Sequence, residues 1–172
     1  KMKQRIDDLK NFGFHDELME EGIGINGKMN ELQASMGLLQ LKYINEVIDK
    51  RKKITNLYRS ELKNIKGISF LDDMKDVNHN YAYFPIFINE RKFGRSREEI
   101  YEKLKNHNIY SRRYFYPLIS QFTAYKDLSS SKPANLPMAE KSSEEVICLP
   151  VYPDLTKSEQ NYIIDILIEE VG

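Results

Sequence analysis

The chain has 172 residues, 41% of them apolar and 30% charged, a mixture that can bury one core with at most part of a second domain. Lysine plus arginine and aspartate plus glutamate stand at 26 each, so no overall field recruits nucleic acid or an anionic membrane. No apolar run approaches a membrane span and no stretch reads as a secretory signal. The single cysteine, Cys148, sits in the apolar run VICLPV as a small hydrophobe, so the expected setting is the reducing cytoplasm.

Residues 1–12 carry Met2, Ile6 and Leu9 at helical spacing, which predicts a polar surface helix ended by Gly13. The chain opens in mid-pattern, so it reads as a piece of a longer protein. Residues 14–30 are expected to form a loop, with Gly22, Gly24 and Gly27 and the acids Asp16, Glu17, Glu20 and Glu21. A long amphipathic helix follows. Asn30 can cap it, with Gln33 three residues on to complete a reciprocal cap. Its apolar stripe runs Leu32, Met36, Leu39, Tyr43, Val47, then Ile54, Tyr58 and Leu62, widened by Ile44 and Ile48. Unbroken over 31–63 it would span about 50 Å at a rise of about 1.5 Å per residue, more than the width of a small domain. Such a helix must tie two domains together or pack against a second chain. Gly37 inside it costs about 1 kcal/mol relative to alanine, and close packing against a neighbouring backbone is the expected reason.

After Gly67, ISFL (68–71) is a short strand and YAYFPIFI (81–88) a stronger one. Pro85 has no N–H to donate, which predicts an edge strand or a bulge there. Residues 89–95 read as a charged loop. Ser96 with Glu99 predicts a second capping box and a helix to about His107, burying Ile100, Tyr101 and Leu104. Ile109–Phe115 reads as extended up to Pro117, and 118–136 as irregular, with a mobile SSSKPAN. Pro137 suits the first turn of a short helix, MAEKSSEEV. ICLPVYP is extended, and Thr156 with Glu159 caps a last helix that should bury Tyr162, Ile163, Ile166 and Leu167. The order describes an α+β domain hung on the long helix.

Chemistry is sparse in this pattern. His15, His79 and His107 are scattered, and no histidine or cysteine cluster has metal-ligand spacing. No GxSxG or Walker-type loop occurs, and GIGING does not fit GxGxxG. Two clusters remain. In GINGKMNELQ, a glycine loop runs into a helix N-terminus, where successive N–H groups favour an anion, Asn26 adds a neutral donor and Lys28 a positive charge. The competing reading is a plain loop with a good cap, and residue chemistry alone favours it. In Ser111-Arg112-Arg113-Tyr114-Phe115-Tyr116-Pro117, an extended run would place Arg112, Tyr114 and Tyr116 on one face, with Arg113 and Phe115 on the other. Arginines interleaved with aromatics suit a ligand with a phosphate and a planar ring or sugar. A half-buried edge strand covered by arginine stems explains the run equally well.

These clusters carry a resemblance. Gly24–Leu41, GINGKMNELQASMGLLQL, resembles the G-[YI]-N-x-R-M-x-E-[LI]-Q-A-A-x-G-x-x-Q-L run of the DegT/DnrJ/StrS sugar aminotransferases. DDLKNFGF is similar to their LRNHGF, RRYFYP to their R-[RK]-Y-F-Y-P segment, and NLPMAEKSSEEVICLPVYPDLT to their LPxAExxxxxxLxLPxxPxLT pattern. Four segments in the right order cover nearly the whole chain. The resemblance implies the C-terminal small domain of a fold type I enzyme that uses pyridoxal 5'-phosphate. Residues 1–30 would be a remnant of the large domain with its cofactor-phosphate loop, 31–66 a linking helix, and 67–172 the small α+β domain.

It further implies that Asn26 reaches across a homodimer interface to the cofactor phosphate of the other subunit. Lys28, Arg112, Arg113, Tyr114 and Tyr116 would contact a nucleotide-linked keto sugar. Lysine stands at position 28 where the family usually has arginine, which keeps the charge and loses the fork. Gly27 stands where an aromatic residue is common. The lysine that holds the cofactor and the aspartate beneath its ring belong to a large domain preceding residue 1, and no lysine here lies in an SFHxxK-type context. The chain therefore carries no catalytic residue and is expected to be inactive alone. The intact enzyme would move an amino group from glutamate to a keto-deoxyhexose on a nucleotide diphosphate, for amino sugars of surface polysaccharides. Its covering domain being absent here, the stripe Leu32, Met36, Leu39 and Tyr43 would be exposed or paired with a second copy. Two rival readings stay open: a non-catalytic dimerisation or regulatory module, and a relative that dehydrates sugars with histidine in place of the cofactor lysine.

Overall fold

The computed structural model describes residues 1–16, 19–20 and 22–170, and divides them between two compact units, 1–45 and 46–172.

In the first unit, helix α1 (Met2–Lys10) ends where Phe12 and Gly13 turn the backbone into the left-handed region, at φ 63° and 88°. The stretch expected to be a loop starts instead as a short antiparallel hairpin, β1 (Phe14–Asp16) with β2 (Met19–Glu20). Of the acidic residues noted there, Glu17 and Glu21 lie outside the described residues. The chain then returns along the end of α1. Ile25 N–H donates to the Leu9 carbonyl at 2.9 Å, Gly27 N–H to Lys10 at 2.9 Å, and Phe12 N–H to Ile25 at 3.1 Å. Gly24 permits this approach: a Cβ there would lie 2.2 Å from the Gly13 nitrogen and 2.4 Å from the Leu9 carbonyl oxygen.

Helix α2 (Glu31–Leu62) begins in this unit and ends in the second, with the predicted length. Gln33 N–H donates to Asn30 Oδ1 at 2.8 Å, and Asn30 N–H to Gln33 Oε1 at 3.4 Å, so the reciprocal cap is formed. The stripe at its start is open: Leu32 is 81% exposed, and Met36, Leu39 and Tyr43 are also exposed. The packing expected at Gly37 is not found among the described residues, since a Cβ there would have no heavy atom within 4 Å outside its own helical turns.

In the second unit, the last turns of α2 bury Ile54, Tyr58 and Leu62 against an antiparallel sheet of order β3-β4-β5, with β3 Ile68–Phe70, β4 Phe84–Ile88 and β5 Val146–Leu149. The strand holding Pro85 is therefore central, against expectation. The register explains why proline is tolerated. β3 pairs only with Ile86–Ile88, so Pro85 lies past its end. Pro85 faces Cys148 on β5, but the Cys148 N–H and carbonyl both bond outward to Arg112. The pair is thus a non-hydrogen-bonded one, and the missing N–H points to the open side.

Phe84, Ile86 and Ile88 of β4 and Ile147 and Leu149 of β5 face a core completed by helices α4 (Arg97–Asn106) and α6 (Lys157–Glu169). Both predicted capping boxes are present, at Ser96 with Glu99 and at Thr156 with Glu159. The charged stretch after β4 is a helical turn rather than a loop, α3 (Glu90–Phe93), capped by Asn89 and sinking Phe93 completely into the core. On α6 the buried set is Gln160, Ile163, Ile164, Ile166 and Leu167, whereas Tyr162, expected inside, is 49% exposed. Its hydroxyl bonds His107 Nδ1 at 2.7 Å, which keeps the ring at the surface. Residues 118–136 contain three single 3-10 turns before α5 (Pro137–Glu145), which has proline at its start as predicted.

Candidate functional site

The first predicted cluster lies in the first unit. Asn26 and Asn11 face each other across an antiparallel bridge, and the Lys28 ammonium donates to Asn11 Oδ1 at 2.9 Å. Lys28 also lies 5.8 Å from the centre of the Phe12 ring. Asn11 was missed in the sequence; its only signal was a carboxamide at a helix end. The anion-nest reading is narrowed, because the N–H groups of Ile25 and Gly27 already serve carbonyls of α1. What the loop offers a ligand is the exposed Asn26 carboxamide and an ammonium fixed by Asn11. Among the described residues the Asn26 side chain has no hydrogen-bond partner.

The second cluster lies in the second unit. Arg112 N–H donates to the Cys148 carbonyl at 3.1 Å and Cys148 N–H to the Arg112 carbonyl at 2.7 Å, which adds a one-residue rung outside β5. Cys148 is buried, and burial pushes its thiol up. Beyond Arg112 the extended run expected as far as Phe115 ends. Tyr116 N–H closes a turn on the Arg113 carbonyl at 2.8 Å, so alternation of faces fails.

The turn sorts the side chains differently from the strand expectation. Arg112 keeps company with Tyr114, its guanidinium 5.7 Å from that ring, and Tyr83 meets Tyr114 edge-on at 5.1 Å. These three border a cavity of about 470 Å³ whose wall also includes His107, Tyr152 and Tyr162. Burial, with the charges of Glu159 and Asp154, pushes the Tyr152 phenol up, so it stays a neutral donor. Tyr116, predicted beside Arg112, goes with Arg113 instead, 5.3 Å from its guanidinium. Arg113 is tied to α4: its Nη1 reaches both Glu98 carboxylate oxygens, at 2.8 and 2.9 Å, and its guanidinium lies 4.2 Å from the Tyr101 ring. The two arginines, equivalent in sequence, are thus unequal in space. Arg112 is exposed, and among the described residues its guanidinium has no hydrogen-bond partner.

Among the described residues no group of three or more His, Cys, Asp and Glu side chains could hold a metal ion, and no helix is long and apolar enough to cross a membrane.

The sequence of residues 1–168 matches the DegT/DnrJ/EryC1/StrS aminotransferase family. The chain belongs to that family. It is similar to a dTDP-4-amino-4,6-dideoxy-D-glucose transaminase of Escherichia coli, 50% identical over 157 residues, which cover 91% of this chain and 42% of that protein. A protein of the same name from Shigella dysenteriae is 40% identical over 168 residues, covering 98% of this chain and 45% of its own length. The chain thus spans less than half the length of these relatives. Among solved structures, DesI with its TDP-sugar product superposes with a TM-score of 0.80 at 30% identity, covering 95% of this chain and 41% of that one. DesV of S. venezuelae gives 0.86 at 23% identity over 99% of this chain and 44% of its own, a likeness of fold. The mixed helix and sheet architecture is that of DegT/DnrJ/EryC1/StrS aminotransferases.

Proposed function

We propose that this chain is the C-terminal part of a nucleotide-sugar aminotransferase, with 1–30 belonging to a large domain, 31–66 linking, and 67–172 forming the small α+β domain. The intact enzyme takes an amino group from glutamate, which leaves as 2-oxoglutarate, and places it on the carbonyl carbon of a keto-deoxyhexose carried on a nucleotide diphosphate. A thymidine diphosphate 4-keto-6-deoxyhexose is the substrate favoured by the 50% identical relative and its name. The geometric observation that carries the reading is Arg112, an unpaired guanidinium beside Tyr114 and Tyr83 at the edge of a tyrosine-lined cavity.

Each group has a role that follows from its chemistry. The Arg112 fork suits a diphosphate, and the tyrosine faces suit the sugar or base, with phenols available to hydroxyl groups. Arg113 and Tyr116 shape this segment from its α4 side. In the first unit, the unpartnered Asn26 carboxamide, with the ammonium of Lys28 held by Asn11, fits a phosphate ester. Pyridoxal 5'-phosphate, when bound, supplies the electron sink for amino transfer. Asn26 would hold its phosphate, and in a homodimer that phosphate is the partner's. The protein acts in the cytoplasm, where its nucleotide-sugar substrates are soluble.

The test is to incubate the full-length protein with pyridoxal 5'-phosphate, glutamate and thymidine diphosphate 4-keto-6-deoxyglucose. The expected result is 2-oxoglutarate in equal amount to an amino sugar. Loss of the sugar without glutamate consumption would instead establish a dehydratase, and a cofactor-loaded protein that consumes neither would remove the enzymatic reading.

A further inference from the structure

We propose that Arg97 and Glu98, in the first turn of α4, are positioning residues that hold Arg113 and Tyr116 so that Arg112 and Tyr114 are the pair presented to the ligand. This rests on the nucleotide-sugar reading above and divides the labour within its Arg-Arg-Tyr-Phe-Tyr run.

Three contacts commit Arg113. Its Nη1 bonds both oxygens of Glu98, and its guanidinium faces Tyr101 and Tyr116 at 4.2 and 5.3 Å. A guanidinium neutralised by a carboxylate and flanked by two rings has little left for a second anion. Arg97 completes the cradle from below. Its guanidinium stacks 4.5 Å from the Tyr116 ring centre and is only 6% exposed. Its Nε and Nη1 are buried without a hydrogen-bond partner, and the nearest carboxylate oxygen, on Glu98, is 3.9 Å from Nε. Burial correspondingly lowers the affinity of Arg97 for its proton.

This is a poor arrangement for stability. Buried donors without acceptors are unfavourable, and a methionine of similar length would fill the space without them. A flat, charged plane does one thing a methionine does not: it fixes the orientation of the ring stacked on it. Tyr116 ends the turn that starts at Arg113, so fixing its ring and the Arg113 head pins both ends of the turn. Tyr114, between them, is then directed to Arg112 and Tyr83.

The experiment is a charge-swap cycle in the full-length protein: Glu98→Arg, Arg113→Glu and the two together. Affinity for thymidine diphosphate is read by calorimetry, and thermal melting is read in parallel. Each single swap should weaken binding about tenfold, as expected for loss of roughly 1.4 kcal/mol, and the double swap should recover most of it. If Arg113 itself touches the diphosphate, the double swap will not recover, because a carboxylate at position 113 repels the ligand. That result overturns the proposal. Arg97→Met should melt no lower than the unmutated protein while binding weakens, and Arg97→Lys should not restore affinity. Parallel loss of melting temperature and affinity in Arg97→Met marks a merely structural residue and also overturns it. Failure of the unmutated protein to bind thymidine diphosphate overturns the nucleotide-sugar reading, whereas absence of Glu98–Arg113 coupling in the melting cycle, which needs no ligand, overturns the cradle.

Discussion

Tyr58 on α2 donates its hydroxyl hydrogen to the carbonyl of Pro150, 3.1 Å away and 92 residues along the chain. The ring is fully buried and stacked on Phe84 of β4, centroids 5.2 Å apart and planes 9° from parallel. Burial pushes the phenol far above its ordinary range, so it stays a donor at every working pH. One residue thus fastens α2 both to the central strand and to the segment leaving β5. Tyr58→Phe keeps the stack and strands the Pro150 carbonyl, and should lower unfolding stability by about 1 kcal/mol. Tyr58→Ala removes the stack as well and should cost about 3–5 kcal/mol. Urea denaturation, with the midpoint shifted and the slope unchanged, checks both.

A second link on the same helix has a pH signature. Asp73 accepts from Arg59 Nη2 at 2.7 Å and from the Tyr81 hydroxyl at 2.7 Å. The Arg59 contact first, and then that of Tyr81, hold its carboxyl down at about 2, against an ordinary value of 3.8. A carboxyl lowered by folding stabilises the native state fully above its unfolded value and loses that contribution as pH falls. The loss therefore runs from about pH 4 down to about pH 2. Both side chains are partly exposed, so solvent and salt keep the amplitude small. Asp73→Asn should flatten the acid limb of a stability-against-pH curve in this window and leave the neutral plateau slightly lower. An unchanged limb would show that the pair contributes nothing.

Where local chemistry determined the outcome, the sequence was legible. The caps at Asn30, Ser96 and Thr156 formed with their partners three residues on, because a cap is decided within one turn. The ends of the long helix and of the capped helices followed to within a residue or two, and β3 lies where ISFL was read, whereas β1 and β2 formed in a stretch read as a loop. What failed depended on distant neighbours. Pro85 marked an open side of the ladder, but the strand around it is central, and the proline is tolerated there because β3 stops one residue short of it, at the Phe70–Ile86 pair. Phe93 alone in a charged run gave no periodicity, yet the core takes it whole. Tyr162 fits the apolar stripe of α6 and is held outside by His107. In the Arg-Arg-Tyr-Phe-Tyr run alternation could not see the turn at Arg113 or the carboxylate of Glu98 waiting on α4.

Two glycines make a matched test of local geometry. Gly24→Ala drives a methyl group into backbone at 2.2–2.6 Å, from Gly13, Leu9 and Phe12, where no side chain can give way. The loop should part from α1, and hydrogen exchange at the Ile25 and Gly27 amides should accelerate. Gly37→Ala meets nothing within 4 Å among the described residues beyond its own helical turns and replaces a poor helix former by the best one. It should stabilise α2 by about 1 kcal/mol, read as higher helix content and slower exchange along the first half of the helix. Destabilisation by Gly37→Ala in the full-length protein, alongside stabilisation here, would locate the backbone that the glycine was expected to accommodate.

Arg112 is the arginine left bordering the cavity. Arg112 is fixed at its backbone by two hydrogen bonds to Cys148, so substituting its side chain removes the guanidinium and spares the rung. In the full-length protein, Arg112→Ala should weaken thymidine diphosphate binding by about tenfold or more, the cost of roughly one charge-assisted contact. Arg112→Lys should recover only part of this, because an ammonium keeps the charge and loses the planar fork. The salt dependence separates charge from shape. Affinity should fall less steeply with ionic strength in Arg112→Ala than in the unmutated protein, while Arg112→Lys should keep the slope at a lower affinity. An Arg112→Ala protein that binds thymidine diphosphate as tightly as the unmutated one, with the same salt slope, would move the diphosphate away from this segment altogether.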